Sequence, residues 1–164
     1  MVRLRDKVVG ILGGIGPEAT AELFRRVIKA TPVQIEQEHL RIIIDNNPQI
    51  PDRTLAILGK GESPLKELIK TALNLERAGI EIIAIPCNTA HYYLDDLRKS
   101  VHVPVMDMLT ETANYIARQF PQMKRLLKPI LSFRGRREID HAINLFFDMQ
   151  KCPLLRTSLG NIFI

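Results

Sequence analysis

Along this chain, short β-branched runs alternate with longer stretches that place apolar residues at helical spacing, and the alternation repeats four times before it fades. Lys7 to Leu12 reads as a first strand. Leu23, Phe24, Val27 and Ile28 then recur with a period of about 3.6, which predicts a helix over 17–30 with one buried face. Pro17 suits its first turn, where a missing N–H costs nothing. Leu40 to Ile44 is a second buried strand. Ser63 and Pro64 open a second long helix as N-cap and first-turn residue, and Leu65, Leu68, Ile69, Ala72 and Leu75 form its inner face. Gly79 ends it. Ile80, Ile82, Ile83, Ala84 and Ile85 make a nearly continuous apolar run, as expected of a strand covered on both faces. A helix over 90–99, a fourth strand over 103–106 and a helix over 109–120 complete the pattern.

This order implies an α/β fold, a three-layer αβα arrangement of Rossmann-like type with a mainly parallel sheet and right-handed crossovers. The loops over 13–16, 45–54 and 87–89 each follow a strand, so they should converge on one edge of the sheet. Open α/β sheets keep their chemistry there. From Pro121 the character changes. Lys124, Arg125, Lys128, Arg134, Arg136 and Arg137 crowd a stretch whose one acidic residue is Glu138. The reading is therefore an α/β domain over 1–120 and a divergent, basic, partly helical segment over 121–164. In that segment Ile139, Ala142, Ile143, Phe146 and Phe147 have the spacing of a further amphipathic helix, and the stretch around Cys152 and Pro153 has no clear period.

Composition narrows the partners. A chain of 164 residues with 46% hydrophobic and 25% charged residues reads as an ordinary globular protein of one domain or slightly more. Lys and Arg number 23 against 18 Asp and Glu, a net +5, but no basic motif is interleaved with aromatics, so nucleic acid is not an expected partner. The start is polar, and no run approaches the ~20 apolar residues of a membrane span. Cys87 and Cys152 stand in unrelated contexts and make no disulfide framework, which fits a reducing, cytoplasmic home. His39, His91, His102 and His141 show no ligand spacing, so no metal is expected.

The stretch Ile85-Pro86-Cys87-Asn88-Thr89-Ala90-His91 puts a thiol where an apolar strand gives way to a helix. A helix starting near Asn88 or Thr89 would set its unpaired N–H groups beside the sulfur and favour the thiolate. His91, four residues on, is near enough to add charge or take a proton. The same N–H groups, with Asn88 and Thr89, could hold a carboxylate. A buried, inert cysteine capping a core strand is the other reading these residues allow. Gly14, Gly16 and Ala19 also satisfy a loose dinucleotide fingerprint, with Asp45 in place for a ribose. Against it, Glu18 would face the pyrophosphate and Pro17 lacks an N–H, so glycines serving a tight turn are the simpler account.

Three stretches together resemble the aspartate/glutamate racemase family: Gly10-Ile11-Leu12-Gly13-Gly14-Ile15-Gly16-Pro17-Glu18-Ala19-Thr20, Asn46-Asn47-Pro48-Gln49-Ile50-Pro51-Asp52-Arg53-Thr54, and Pro86-Cys87-Asn88-Thr89-Ala90-His91. The resemblance covers roughly residues 7 to 120 and points to the aspartate branch. It implies racemisation of aspartate or glutamate without pyridoxal phosphate or any other cofactor, by a homodimer whose two α/β domains enclose the site. It implies that Cys87 is one of two catalytic cysteines flanking the substrate α-carbon. Asp52, Arg53 and Thr54, with Asn88, Thr89 and Ala90, match the segments that contact the substrate, and Gly14, Asn46 and His91 support them. The family's second cysteine sits late in the chain in a Gly-Cys-Thr-Glu-like context, whereas Cys152 lies in Lys151-Cys152-Pro153. The expectation is a second domain left incomplete, with family sequence lost after about Leu127. Three functions stay open: a racemase, a one-base enzyme resembling the related decarboxylases, and an inactive remnant that binds a dicarboxylate.

Overall fold

The computed structural model describes residues 7–119. The basic stretch, the helix expected over 139–147 and Cys152 lie outside the described residues. The chain divides between Met108 and Leu109 into two units.

In chain order, the described elements begin with β1 (Val8–Gly13), α1 (Pro17–Ala30) and a 3₁₀ turn at Glu36–Glu38. They continue with β2 (Arg41–Asn46), α2 (Arg53–Ile57), α3 (Leu65–Arg77) and β3 (Ile82–Ala84). A second 3₁₀ turn at Thr89–Tyr93 then precedes α4 (Leu94–Ser100) and α5 (Met108–Gln119). The strands form a parallel sheet in the order β2-β1-β3, so β1 lies at the centre with Gly10 opposite Ile43 on one side and Ile83 on the other.

Side chains alternate across a strand, so Val8, Leu12, Ile43 and Ile83 share one face. The main core forms on that face, where Leu68, Ala72 and Leu75 of α3 and Leu94 and Leu97 of α4 pack with Leu12 and Ile83. α1 packs on β1 and contributes nothing to this cluster, consistent with a right-handed crossover that carries it over the other face. The inner face expected for α3 is observed, and Gly79 at φ 82 follows its end.

Three expectations need correction. The fourth strand is reduced to a single parallel bridge between Ile83 and Val105, because only the Ile83 N–H to Pro104 and Met106 N–H to Ile83 bonds form there. The helix after Cys87 is not one piece. Its first turn is 3₁₀, with the His91 N–H bonded to the carbonyl of Asn88 rather than of Cys87, and Tyr93 at φ −98, ψ 9 separates it from α4. α1 lies where its spacing places it, yet its apolar face is only partly buried: Leu23 and Val27 are half-buried, Thr20 is its one buried residue, and Phe24 and Ile28 are 37% and 40% exposed.

Candidate active site

All three loops that follow the strands meet at the carboxyl edge of the sheet, and close backbone approach brings the first two together. Gly14 has φ 87, and a side chain there would overlap the backbone of Asn47. The Asn47 N–H donates to the carbonyl of Gly13 at 3.3 Å, continuing the β1–β2 ladder one step past Asn46. Asn47 Nδ2 donates to Thr71 Oγ1 on α3 at 3.2 Å, and the Gln49 N–H donates back to Asn47 Oδ1 at 3.1 Å. The loop after β2 is thereby held both to the loop after β1 and to α3.

Beyond Pro51 the second loop turns into α2. Asp52 caps it, its carboxylate accepting from the Leu55 N–H at 2.8 Å, which satisfies one of the donors a helix start leaves open. Arg53 then occupies the first helical position, half-buried, with Nη1 donating to the carbonyl of Pro51 at 3.2 Å. α2 packs against the 3₁₀ turn that follows Cys87. That packing sets the second loop beside the third.

In the third loop Cys87 is a free, half-buried thiol resting against the main core. Asn88 and Thr89 are half-buried beside it, whereas Ala90 is fully enclosed in the core, so its side chain offers nothing to a ligand. His91 is 8% exposed. Its Nδ1 lies 2.8 Å from the Cys87 carbonyl and its Nε2 accepts from the Met108 N–H at 3.1 Å. Both ring nitrogens are engaged with backbone, so neither is left to bond the thiol as the spacing suggested. Burial, and secondarily the neighbouring Tyr92, push the Tyr93 phenol up from its ordinary range.

Two buried side-chain atoms here have no hydrogen-bond partner: Arg53 Nε, a donor, and Asn88 Oδ1, an acceptor. An unpaired buried polar atom costs ~1–3 kcal/mol, so each of these is an atom whose partner the described residues do not supply. The remaining residues singled out in the sequence are less enclosed. Asp52, Thr54 and Asn46 are exposed, and Gly14 is buried. Thr20, Asn47 and Thr71 hold the loops without any local signal of that task, since nothing in the local pattern marks a contact across 24 residues such as Asn47 to Thr71. Among the described residues, no group of three or more His, Cys, Asp or Glu side chains could hold a metal ion, and no helix is long and apolar enough to cross a membrane.

These features define a class: a parallel α/β domain with a half-buried free thiol and two unpaired polar atoms at the carboxyl edge of its sheet. The sequence model of the Asp/Glu/Hydantoin racemase family matches residues 12–138, and the chain belongs to that family. The match runs to residue 138, beyond the stretch of roughly 7–120 that carries the resemblance. The broad specificity amino-acid racemase RacX of Bacillus subtilis is 30% identical over 115 residues, which are 66% of this chain and 49% of that protein. Among solved structures, the Picrophilus torridus aspartate racemase is 34% identical with a TM-score of 0.63, covering 70% of this chain and 48% of its own. An aspartate racemase homologue from Pyrococcus horikoshii OT3 is 28% identical with a TM-score of 0.57, covering 70% of this chain and 50% of its own. The chain thus spans about half the length of the relatives it matches.

Proposed function

We propose that this chain carries one side of a racemase site for an acidic amino acid, aspartate or glutamate, and that it works without a cofactor. In this reading Cys87 moves the α-proton. The unpaired pair supports it most directly: Arg53 Nε is a free donor for a carboxylate, and Asn88 Oδ1 a free acceptor for an α-ammonium group. One amino acid presents both complementary groups. Binding would relieve two buried unpaired atoms at once, and it would hold the α-carbon near the thiol, which the removal of a weakly acidic C–H requires.

Inversion needs a second acid on the opposite face of the substrate. The described residues hold one thiol, so in this reading the second donor lies beyond residue 119 or in a second copy of a homodimer. A reducing, cytoplasmic setting would keep Cys87 free.

The test is solvent deuterium uptake at the α-carbon of L-aspartate and L-glutamate, followed by proton NMR with chiral analysis of the product. Uptake that disappears in Cys87→Ser, with inversion of the α-carbon, is the expected result. Uptake with retention would replace racemisation by one-base exchange. Absence of uptake from both amino acids in a folded protein would overturn the proposal.

A further inference from the structure

We propose that His91 is a positioning residue: as the neutral Nδ1–H tautomer it braces the Cys87 carbonyl against the Met108 amide and so fixes how the Cys87 thiol is presented. The inference rests on the racemase reading only for the importance of that thiol.

The argument starts from the turn. In an α-helix the His91 N–H would bond to the carbonyl four residues back, that of Cys87. Here the turn is 3₁₀, and the His91 N–H goes to Asn88 at 3.0 Å. That leaves the Cys87 carbonyl without its helical donor. The His91 ring takes the place, with Nδ1 at 2.8 Å. At the ring's other end lies Met108, whose N–H belongs to the first residue of α5 and is one of those a helix start leaves open. It points at Nε2 from 3.1 Å.

These two partners dictate the protonation of the ring. A backbone carbonyl can only accept, so Nδ1 must carry the hydrogen; a backbone N–H can only donate, so Nε2 must offer its lone pair. An imidazolium would set N–H against N–H at Met108. A neutral ring, buried to 8% exposure and bonded at both ends, is stiff, and it ties the residue that bears the thiol to a point 21 positions along the chain.

The test reads the ring directly. In ¹⁵N-labelled protein at neutral pH, long-range proton–nitrogen correlation should show Nδ1 protonated and Nε2 bare, with a coupling through the hydrogen bond between Met108 N and His91 Nε2. The opposite tautomer, or no such coupling, overturns the proposal. Two variants then separate the ends of the brace. His91→Asn keeps a donor near Nδ1, and His91→Gln keeps an acceptor near Nε2. Alkylation of Cys87 by iodoacetamide, followed on its own peptide by mass spectrometry, should run about fivefold faster in His91→Gln, the factor one ordinary hydrogen bond carries, and within about twofold of the parent in His91→Asn. Equal rates in the two folded variants overturn the positioning role. A variant that does not fold leaves the decision to the ring measurement, which needs none. Failure here leaves the racemase reading intact, and failure of deuterium uptake leaves the brace intact.

Discussion

Thr20 Oγ1 accepts the N–H of Gly14 at 3.1 Å, and the same hydroxyl donates to the carbonyl of Gly16 at 3.1 Å. One buried side chain therefore closes the whole glycine turn that follows β1. The Gly14 N–H that this hydroxyl accepts is buried. Thr20→Val keeps the shape and removes both bonds, and it should destabilise the protein by about 1–3 kcal/mol in urea unfolding. A variant as stable as the parent would show that the turn does not depend on the hydroxyl.

Two glycines with similar backbone should respond differently to alanine. Gly14 (φ 87) would drive a methyl into the Asn47 backbone, whereas Gly59 (φ 69) has nothing within 4 Å of the same position. Gly59→Ala should cost about 1–2 kcal/mol from the left-handed conformation alone. Gly14→Ala adds a clash with main chain that cannot turn aside, so a loss of more than about 3 kcal/mol is expected. Thermal melts of the two variants side by side decide it, and equal losses would contradict the close approach of the two loops.

Asp52 is exposed, and its carboxylate caps α2. Asp52→Ala should cost about 1 kcal/mol through the lost cap, and Asp52→Asn or Asp52→Ser should restore most of it. If Asn restores stability while α-proton exchange remains lost, Asp52 also has a role in the chemistry.

Glu76 accepts the backbone N–H groups of His102 at 2.6 Å and Val103 at 3.1 Å, fastening the end of α3 to the segment that leads to the Val105 bridge. These bonds, that from the His102 N–H first, hold its carboxyl below the usual carboxylate range. Because the folded value lies below the unfolded one, its contribution is complete above the ordinary glutamate pKa of about 4.3 and is lost as the pH falls through the lowered folded value. Glu76→Gln should flatten the acid limb of a stability–pH profile taken by denaturant titration. An unchanged limb would remove Glu76 from the account. Glu81, bonded by the Val8 N–H and by Lys7, is lowered in the same sense and supplies a second, independent shoulder.

The local pattern was enough for the elements whose causes are local. Period and capping signals placed α1 at Pro17–Ala30 and α3 at Leu65–Arg77 within a residue or two, and β-branched runs marked β1, β2 and β3. A helix needs only its own apolar stripe and its ends, and both are written within about 15 residues. The same holds for the carboxyl-edge loops, since each follows a strand that the sequence announces.

What depends on groups far apart in the chain was decided only by tertiary structure. Val103 to Met106 has a strand's composition, yet its ladder bonding is limited to two bonds with Ile83. Phe24 and Ile28 have a core pattern, but burial depends on what covers them, and spacing is silent on that. His91 shows the difference most clearly. Its position four residues after Cys87 suggested a partner for the thiol; the fold brings the Met108 N–H to its other nitrogen and makes it a brace for the backbone instead. A histidine's chemistry follows from which groups face its two nitrogens, and one of those groups arrives from 17 residues away.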